Sequence, residues 1–288
     1  MPAPFVSELC GFREGRPNTS DKNDPLSQEL GHAFFELLGV PHDKTAPKTV
    51  DKAWSAAMVA DLAKQIAATA PHLRIRAERR LEEFEQYAHL SALKSLAEDA
   101  SPEVAAALTR LEQATYTVPE LASLVDALED TLAAADSRRR ALVDLLGDES
   151  PLRLDVAVDR SGPSVPVDAT DAPSHLIAGF SLKWSLRTDR LQDPRTQGAK
   201  MATMRRGRMP HFAAVTMEPR PYMLGRLGRG TGDLDCVYHL ALSPLVEAVQ
   251  AVFASNKDRI RQRDMFMRMV EQRRLRDYDD LVAYVATL

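Results

Sequence analysis

The chain has little cysteine. Cys10 and Cys236 are far apart in its 288 residues and fit no zinc spacing. That excludes a disulfide framework and a thiolate zinc module, and suits a reducing compartment. No apolar run reaches the ~20 residues of a membrane-spanning helix. The opening MPAPFVSELC has no basic stretch leading into an apolar one, so no secretory signal is expected and the expected location is cytoplasmic. Internal repeats and low-complexity tracts are not seen. A large excess of one charge sign is missing too: 37 Lys and Arg stand against 41 Asp and Glu, a formal net charge of −4. Net charge therefore offers no argument for a nucleic-acid partner. What remains is ordinary for a globular protein, 44% hydrophobic and 27% charged, enough to build a core without staples.

Local charge is less even. Residues 187–208 hold seven basic residues against two aspartates, and residues 257–276 hold eight against three acids. Each run alone reads as a solvated helix face; two in the same half point weakly toward a polyanion.

Along the chain, residues 1–24 read as an irregular arm rich in Pro, Gly, Asn and Asp. Residues 25–148 read as helical. Leu26, Leu30, Phe34, Phe35, Leu37 and Leu38 lie at helical spacing with Gly39 as a C-terminal cap. Further helices are expected at 50–69, over the long stretch 73–98, from Ser101 with Pro102 in the first turn, and over 119–147. Residues 149–245 change texture. PLRLDVAVDR alternates apolar and polar residues and predicts a strand. HLIAGFSLKW, HFAAVTME and LDCVYHLAL predict three more, with a helix from Pro194 to 206 between them. Residues 246–288 return to helices. The order predicts one α/β domain of mixed α+β type, a central mixed sheet flanked by helices with a helix-rich N-terminal half.

The chemistry-bearing feature is Lys183 on an apolar strand. Period two puts Ser181 and Lys183 on one side of that strand, with Asp155 on the strand before it. A carboxylate that holds Mg²⁺ beside a lysine that positions or deprotonates water is a recurrent arrangement for phosphodiester hydrolysis. Taken alone, two such charges are more often edge decoration. His89, His211 and His239 read as structural, and Met265, Met267 and Met269 as core or subunit contacts.

The wider run SLKWSLRTDRLQD, RRGRMPHFAAVTMEP and GTGDLDCVYHLAL, with FEQYAHL upstream, resembles the NgoMIV-type type II restriction endonucleases, which cut at a CCGG core. The resemblance covers roughly residues 75–245 and is most specific over 181–240. It implies a PD-(D/E)XK nuclease fold with Ser in place of the acid before x-K. Ser181 and Lys183 then match the S-x-K motif and Asp155 the metal-binding aspartate, with LD in place of PD. Asp159 is the runner-up. The resemblance also implies a glutamate on the FEQY helix, Glu85 or alternatively Glu82. A second metal-site glutamate is expected in the helix after the S-x-K strand, where this chain has Gln197. A neutral amide is a poorer Mg²⁺ ligand, so either Glu85 with Asp155 suffices, or Glu218 or another acid substitutes, or activity is reduced.

By the same resemblance, Arg187, Asp189 and Arg190 read the CCGG core. Arginine donates twice to guanine O6 and N7, and aspartate accepts from cytosine N4. Asp21, Arg76 or Glu78, Arg226 and Arg229 are further candidate DNA contacts, although an Asx turn would equally explain Asp21. The expected activity is Mg²⁺-dependent cleavage of double-stranded DNA at a palindrome such as GCCGGC by a bacterial homodimer or homotetramer, without a nucleotide cofactor. Two alternatives stay open: a sequence-specific DNA-binding protein with lost cleavage, and a structure-selective repair nuclease.

Overall fold

The computed structural model describes residues 1–91, 102–146, 152–160, 173–229, 232–255 and 257–288, and for residues 119, 142–146, 188 and 189 the backbone alone. The chain divides into two compact units: Met1–Tyr87 with Arg153–Leu288, and Ala88–Leu152. The expected N-cap Ser101 and the loop residues 161–172 lie outside the described residues.

In the larger unit the N-terminal arm is ordered rather than irregular. A short helix α1 (Val6–Leu9) leads into a hairpin of β1 (Phe12–Arg13) and β2 (Arg16–Pro17). Glu14 and Gly15 both have positive φ, 51° and 74°, the geometry of a tight two-residue hairpin turn. The hairpin is docked by Phe12 N–H on the Lys44 carbonyl and Ala46 N–H on the Phe12 carbonyl, at 2.7 and 3.0 Å. Gly11 permits that approach, since a Cβ there would lie 2.6 Å from Ala46 N.

Helix α2 (Pro25–Leu37) is capped by Asp24, which accepts from the N–H groups of Leu26 and Ser27, with Pro25 in the first turn. It buries Leu30, Phe34 and Phe35 and ends before Gly39 at φ +67°, as the spacing predicts. Helix α3 (Asp51–Ile66) buries Trp54, Met58, Leu62 and Ile66, a stripe at helical period.

The stretch 73–98, expected to be helical, begins instead as strand β3 (Leu73–Arg80), followed by a single 3₁₀ turn, Leu81–Glu83. Its Leu73, Ile75 and Ala77 alternate with Arg74, Arg76 and Glu78, a period of two. Pairing against β4 (Arg153–Arg160) sets Ile75 opposite Val158 and Ala77 opposite Val156. Burial of that face overrides the helical propensity of the arginine- and glutamate-rich sequence.

The described sheet has six strands in chain order, β3-β4-β5-β6-β7-β8. Strands β3, β4 and β5 (His175–Lys183) are antiparallel neighbours; β6 (His211–Thr216), β7 (Val237–His239) and β8 (Leu275–Asp277) continue parallel to β5. The mixed sheet matches expectation. Strand β8 was not foreseen within the helical reading of 257–276, because three residues are too few to display alternation.

In the smaller unit, α4 (Pro102–Thr115) and α5 (Ala122–Leu146) are joined through a 3₁₀ turn at Pro119–Leu121. Helix α6 (Thr188–Met204) of the larger unit starts six residues before the expected Pro194, which lies inside it; the ring removes one N–H donor without ending the helix. Helix α7 (Pro221–Gly228) follows β6, and α8 (Leu242–Val252), α9 (Lys257–Glu271) and α10 (Tyr278–Ala286) complete the larger unit. Among the described residues no helix is long and apolar enough to cross a membrane.

Candidate active site

The β4–β5 pairing runs through Val156 and Phe180. One residue further, the side chain of Asp155 replaces the ladder, its Oδ2 accepting from Leu182 N–H at 2.6 Å. Asp155 is thereby fixed beside the end of the strand that carries Lys183. Both line a cleft of about 310 Å³ shared with Asp51, Glu78, Asp193 and Arg190. Lys183 Nζ lies 3.4 Å from Asp193 Oδ2. Burial raises the Asp155 pKa above the usual carboxylate value, Leu182 N–H and Lys183 oppose that rise, and Glu78 and Asp51 add to it.

Glu78 is the residue that sequence reasoning misplaced. Its neighbours Ala77 and Arg79 pair with Val156 and Leu154, so Glu78 stands opposite Asp155 in the register. It has φ +55°, an uncommon conformation for glutamate that costs on the order of 1 kcal/mol and gathers at functional sites. Its other contact is Arg153 Nη1 at 3.2 Å. The period-two alternation of LRIRAE was the available signal. Glu85 is not brought to this cleft: it follows the 3₁₀ turn rather than riding a helix, its N–H bonds the Ser174 carbonyl, and its carboxylate contacts His175 Nδ1. Glu82 pairs with Arg80 at 3.7 Å.

Two other acids have structural partners. Asp159 is fully buried between Arg74 at 2.8 Å and Arg76 at 2.7 Å. Arg76 also donates to Ser174 and lies over the Phe84 ring, and its side chain stays partly exposed. Glu218, also fully buried, accepts from Leu186 N–H at 2.6 Å and from Arg220 N–H and Nε at 3.0 and 2.6 Å. Gln197 does not line the cleft; its amide donates to the Arg153 carbonyl at 2.8 Å. Ser181 is buried, at 2% exposure, one strand position from the cleft-lining Leu182.

The segment expected to read bases follows directly. Arg187 is the exposed N-cap residue of α6, and Arg190, also exposed, lines the cleft one turn on. The Asp189 side chain lies outside the described residues. Glu218 and Arg220 clamp the preceding residue from both sides, since Arg220 Nη2 donates to the Leu186 carbonyl at 2.6 Å. Arg220 Nη1 reaches Asp21 and Asp24 of the arm at 3.3 and 3.5 Å. Asp21 also accepts from Asn23 N–H in an Asx turn. Arg226 bonds Tyr222 and Arg229 bonds the Gly225 carbonyl, and neither lines the cleft.

The family model described as NgoMIV restriction enzyme matches residues 69–287. The chain belongs to the NgoMIV restriction enzyme family. A curated relative, the type II restriction enzyme NgoMIV of Neisseria gonorrhoeae, is 34% identical over 199 residues, 69% of this chain and 60% of the relative. The chain thus spans about 60% of the length of the relative it matches. The NgoMIV family match takes in Glu78, Asp155, Ser181, Lys183, Arg187 and Arg190, and leaves the arm, α2 and α3 outside it.

Among the described residues, no three His, Cys, Asp or Glu side chains gather closely enough to hold a metal ion alone. Mg²⁺ does not need such a cage: one or two carboxylates, retained waters and substrate phosphate oxygens complete its octahedron. Asp155 and Glu78, hard oxygen donors in a cleft where burial and mutual repulsion disfavour negative charge, fit that ion.

Proposed function

We propose that the chain is a Mg²⁺-dependent type II restriction endonuclease acting on double-stranded DNA at a palindrome with a CCGG core, GCCGGC, and leaving 5′-phosphate ends. The observation that carries this reading is the single cleft in which Asp155, Glu78 and Lys183 meet Arg190 of the reader segment, within a chain of this family. Asp155 and Glu78 would hold the ion. When bound, Mg²⁺ polarises the scissile phosphate and makes a bound water more acidic. Lys183 orients the attacking water and offsets charge developing on the phosphoryl oxygens. A P–O bond forms from the water, the P–O3′ bond breaks, and the 3′ oxygen leaves as a hydroxyl. Arg187 and Arg190 donate to guanine and Asp189 accepts from cytosine. A palindromic site requires two-fold symmetry, so a homodimer or a homotetramer carries the activity.

The test is digestion of genomic DNA with Mg²⁺ and sequencing of the ends. Ends confined to GCCGGC are expected. Lys183→Ala should slow cleavage by about 10²–10³-fold, the span for losing one electrostatic donor to the transition state, while retaining binding. Glu78→Gln should raise the Mg²⁺ requirement by at least about tenfold, the lower figure for losing even an outer partner of a metal ligand, while Glu85→Gln should not. Ends scattered without regard to CCGG would overturn the reading.

A second reading is favoured by Gln197, an amide held on the Arg153 carbonyl where the family resemblance leads one to expect a glutamate. On that reading the chain binds GCCGGC and cleaves slowly or not at all, and the same digestion would show retained site binding with no linear product.

A further inference from the structure

Next to the catalytic cleft lies a second concavity of about 350 Å³. Its described lining carries five cationic side chains, Arg13, Arg16, Lys22, Arg187 and Arg190, and no carboxylate. Ser185 and Arg190 line both hollows, so the two adjoin. In a chain of net charge −4, such a concentration of one sign is a local feature that the composition conceals. Three of the five cations come from the arm, outside the family match over 69–287. The hairpin is held rigidly at Lys44 and Ala46, and Arg13 is latched through Nη2 to the carbonyls of Pro47 and Lys48 at 2.6 and 3.1 Å. Arg16 is partly buried and tethered to exposed Glu14 at 2.7 Å, while Lys22 is exposed. Arg13 and Arg16 are therefore positioned before any ligand arrives.

We propose that the β1–β2 hairpin and the loop after it form a phosphate clamp that grips the DNA backbone beside the bases read by Arg187 and Arg190. This rests on the restriction-endonuclease reading for the identity of the polyanion. Charges placed this way give register and affinity without sequence information, whereas base-edge contacts specify. Arg16 and Lys22 supply the clamp's charge toward the phosphates, and Arg13 ties it to the body.

The test is binding of two duplexes, one carrying GCCGGC and one scrambled, measured without divalent metal over a range of salt, for wild type and for Arg16→Ala/Lys22→Ala. Each lost phosphate contact should lower the slope of log affinity against log salt by about 1. The change should be equal on both duplexes, so their affinity ratio should hold. Arg16→Lys, which keeps the charge, should restore most of the slope contributed by that position. If the double variant loses its circular-dichroism spectrum, Lys22→Glu, a single exposed change, gives the same reading. An unchanged slope in a folded variant overturns the clamp, as does a loss confined to the GCCGGC duplex. Wild-type cleavage at GCCGGC with an unchanged variant slope sinks the clamp alone. Wild-type protein with no preference between the duplexes sinks the restriction reading instead, while the slope difference still reports on the clamp.

Discussion

Asp155 is a carboxylate whose surroundings oppose its own charge. Burial is the largest influence, Glu78 and Asp51 add to it, and Leu182 N–H and Lys183 only partly offset it. The folded value thus lies above the unfolded one. Any stability tied to this group is complete below the unfolded value and is lost as pH rises through the folded value. At neutral pH the fold bears the burden of a buried charge. Asp155→Asn keeps an oxygen to accept from Leu182 N–H and removes the charge. It should stabilise the protein at pH 7 by about 1–2 kcal/mol, with the gain shrinking on acidification, and it should abolish cleavage. Thermal melts of both proteins at neutral and acidic pH decide the point; a variant that melts below wild type at pH 7 would contradict it. Lys183 and Asp155 were legible in the sequence because strand alternation fixes which side chains share an edge. Glu78 was not, because its role depends on a register and a positive φ that only the pairing with β4 creates.

Whole elements were legible in proportion to their length and to how far local pattern agreed with tertiary packing. Helix α2, with its Asp24 cap and Gly39 stop, and strands β4 to β6 follow from local pattern. Strand β3 does not: its four arginines and Glu78 suit a helix, and what decides the matter is pairing with a strand some 80 residues away in sequence. The misplacement of Glu85 follows from that one error, since a helix over 73–98 would have carried it elsewhere. The segment between β5 and α6 shows how elements are locked together. Glu218 and Arg220 form a buried pair that holds the N–H and carbonyl of Leu186, immediately before Arg187, the arginine proposed to read guanine. Removing one partner of such a pair is costly because the other charge stays buried, although Asp21 and Asp24 remain near Arg220 at 3.3 and 3.5 Å. Glu218→Gln should therefore destabilise the fold by about 3 kcal/mol, the low end for a broken buried pair, and reduce discrimination between GCCGGC and scrambled duplexes. Denaturant titration and paired binding measurements test this, and a stable variant with full discrimination would remove the clamp from the account of base reading.

For the molecule as a whole, net charge was uninformative and its distribution decisive. A chain at −4 still assembles one basic concavity from segments that are remote in sequence, Arg13 to Lys22 and Arg187 to Arg190. A titratable group that the cleft does not use is also buried in the core. His239, on β7, is fully buried, with Phe34 at 5.7 Å between ring centroids. Its Nδ1 accepts from Ala241 N–H at 3.1 Å, which requires that nitrogen to be unprotonated. Burial lowers its pKa to about 3, below the ordinary value of about 6.5. The neutral imidazole therefore contributes stability that is complete above the unfolded value and is lost as pH falls from about 6.5 toward about 3, at up to roughly 1.4 kcal/mol per pH unit. Asp155 works in the opposite direction over the acidic range, so the two must be separated by variants. His239→Asn retains an acceptor for Ala241 N–H without a titrating ring. It should be less stable than wild type at pH 7, where a packed ring has been lost, and should lose less stability between pH 7 and pH 5. Denaturant midpoints at those two values measure the difference; equal losses in the two proteins would mean that His239 does not set the acid limit of the fold.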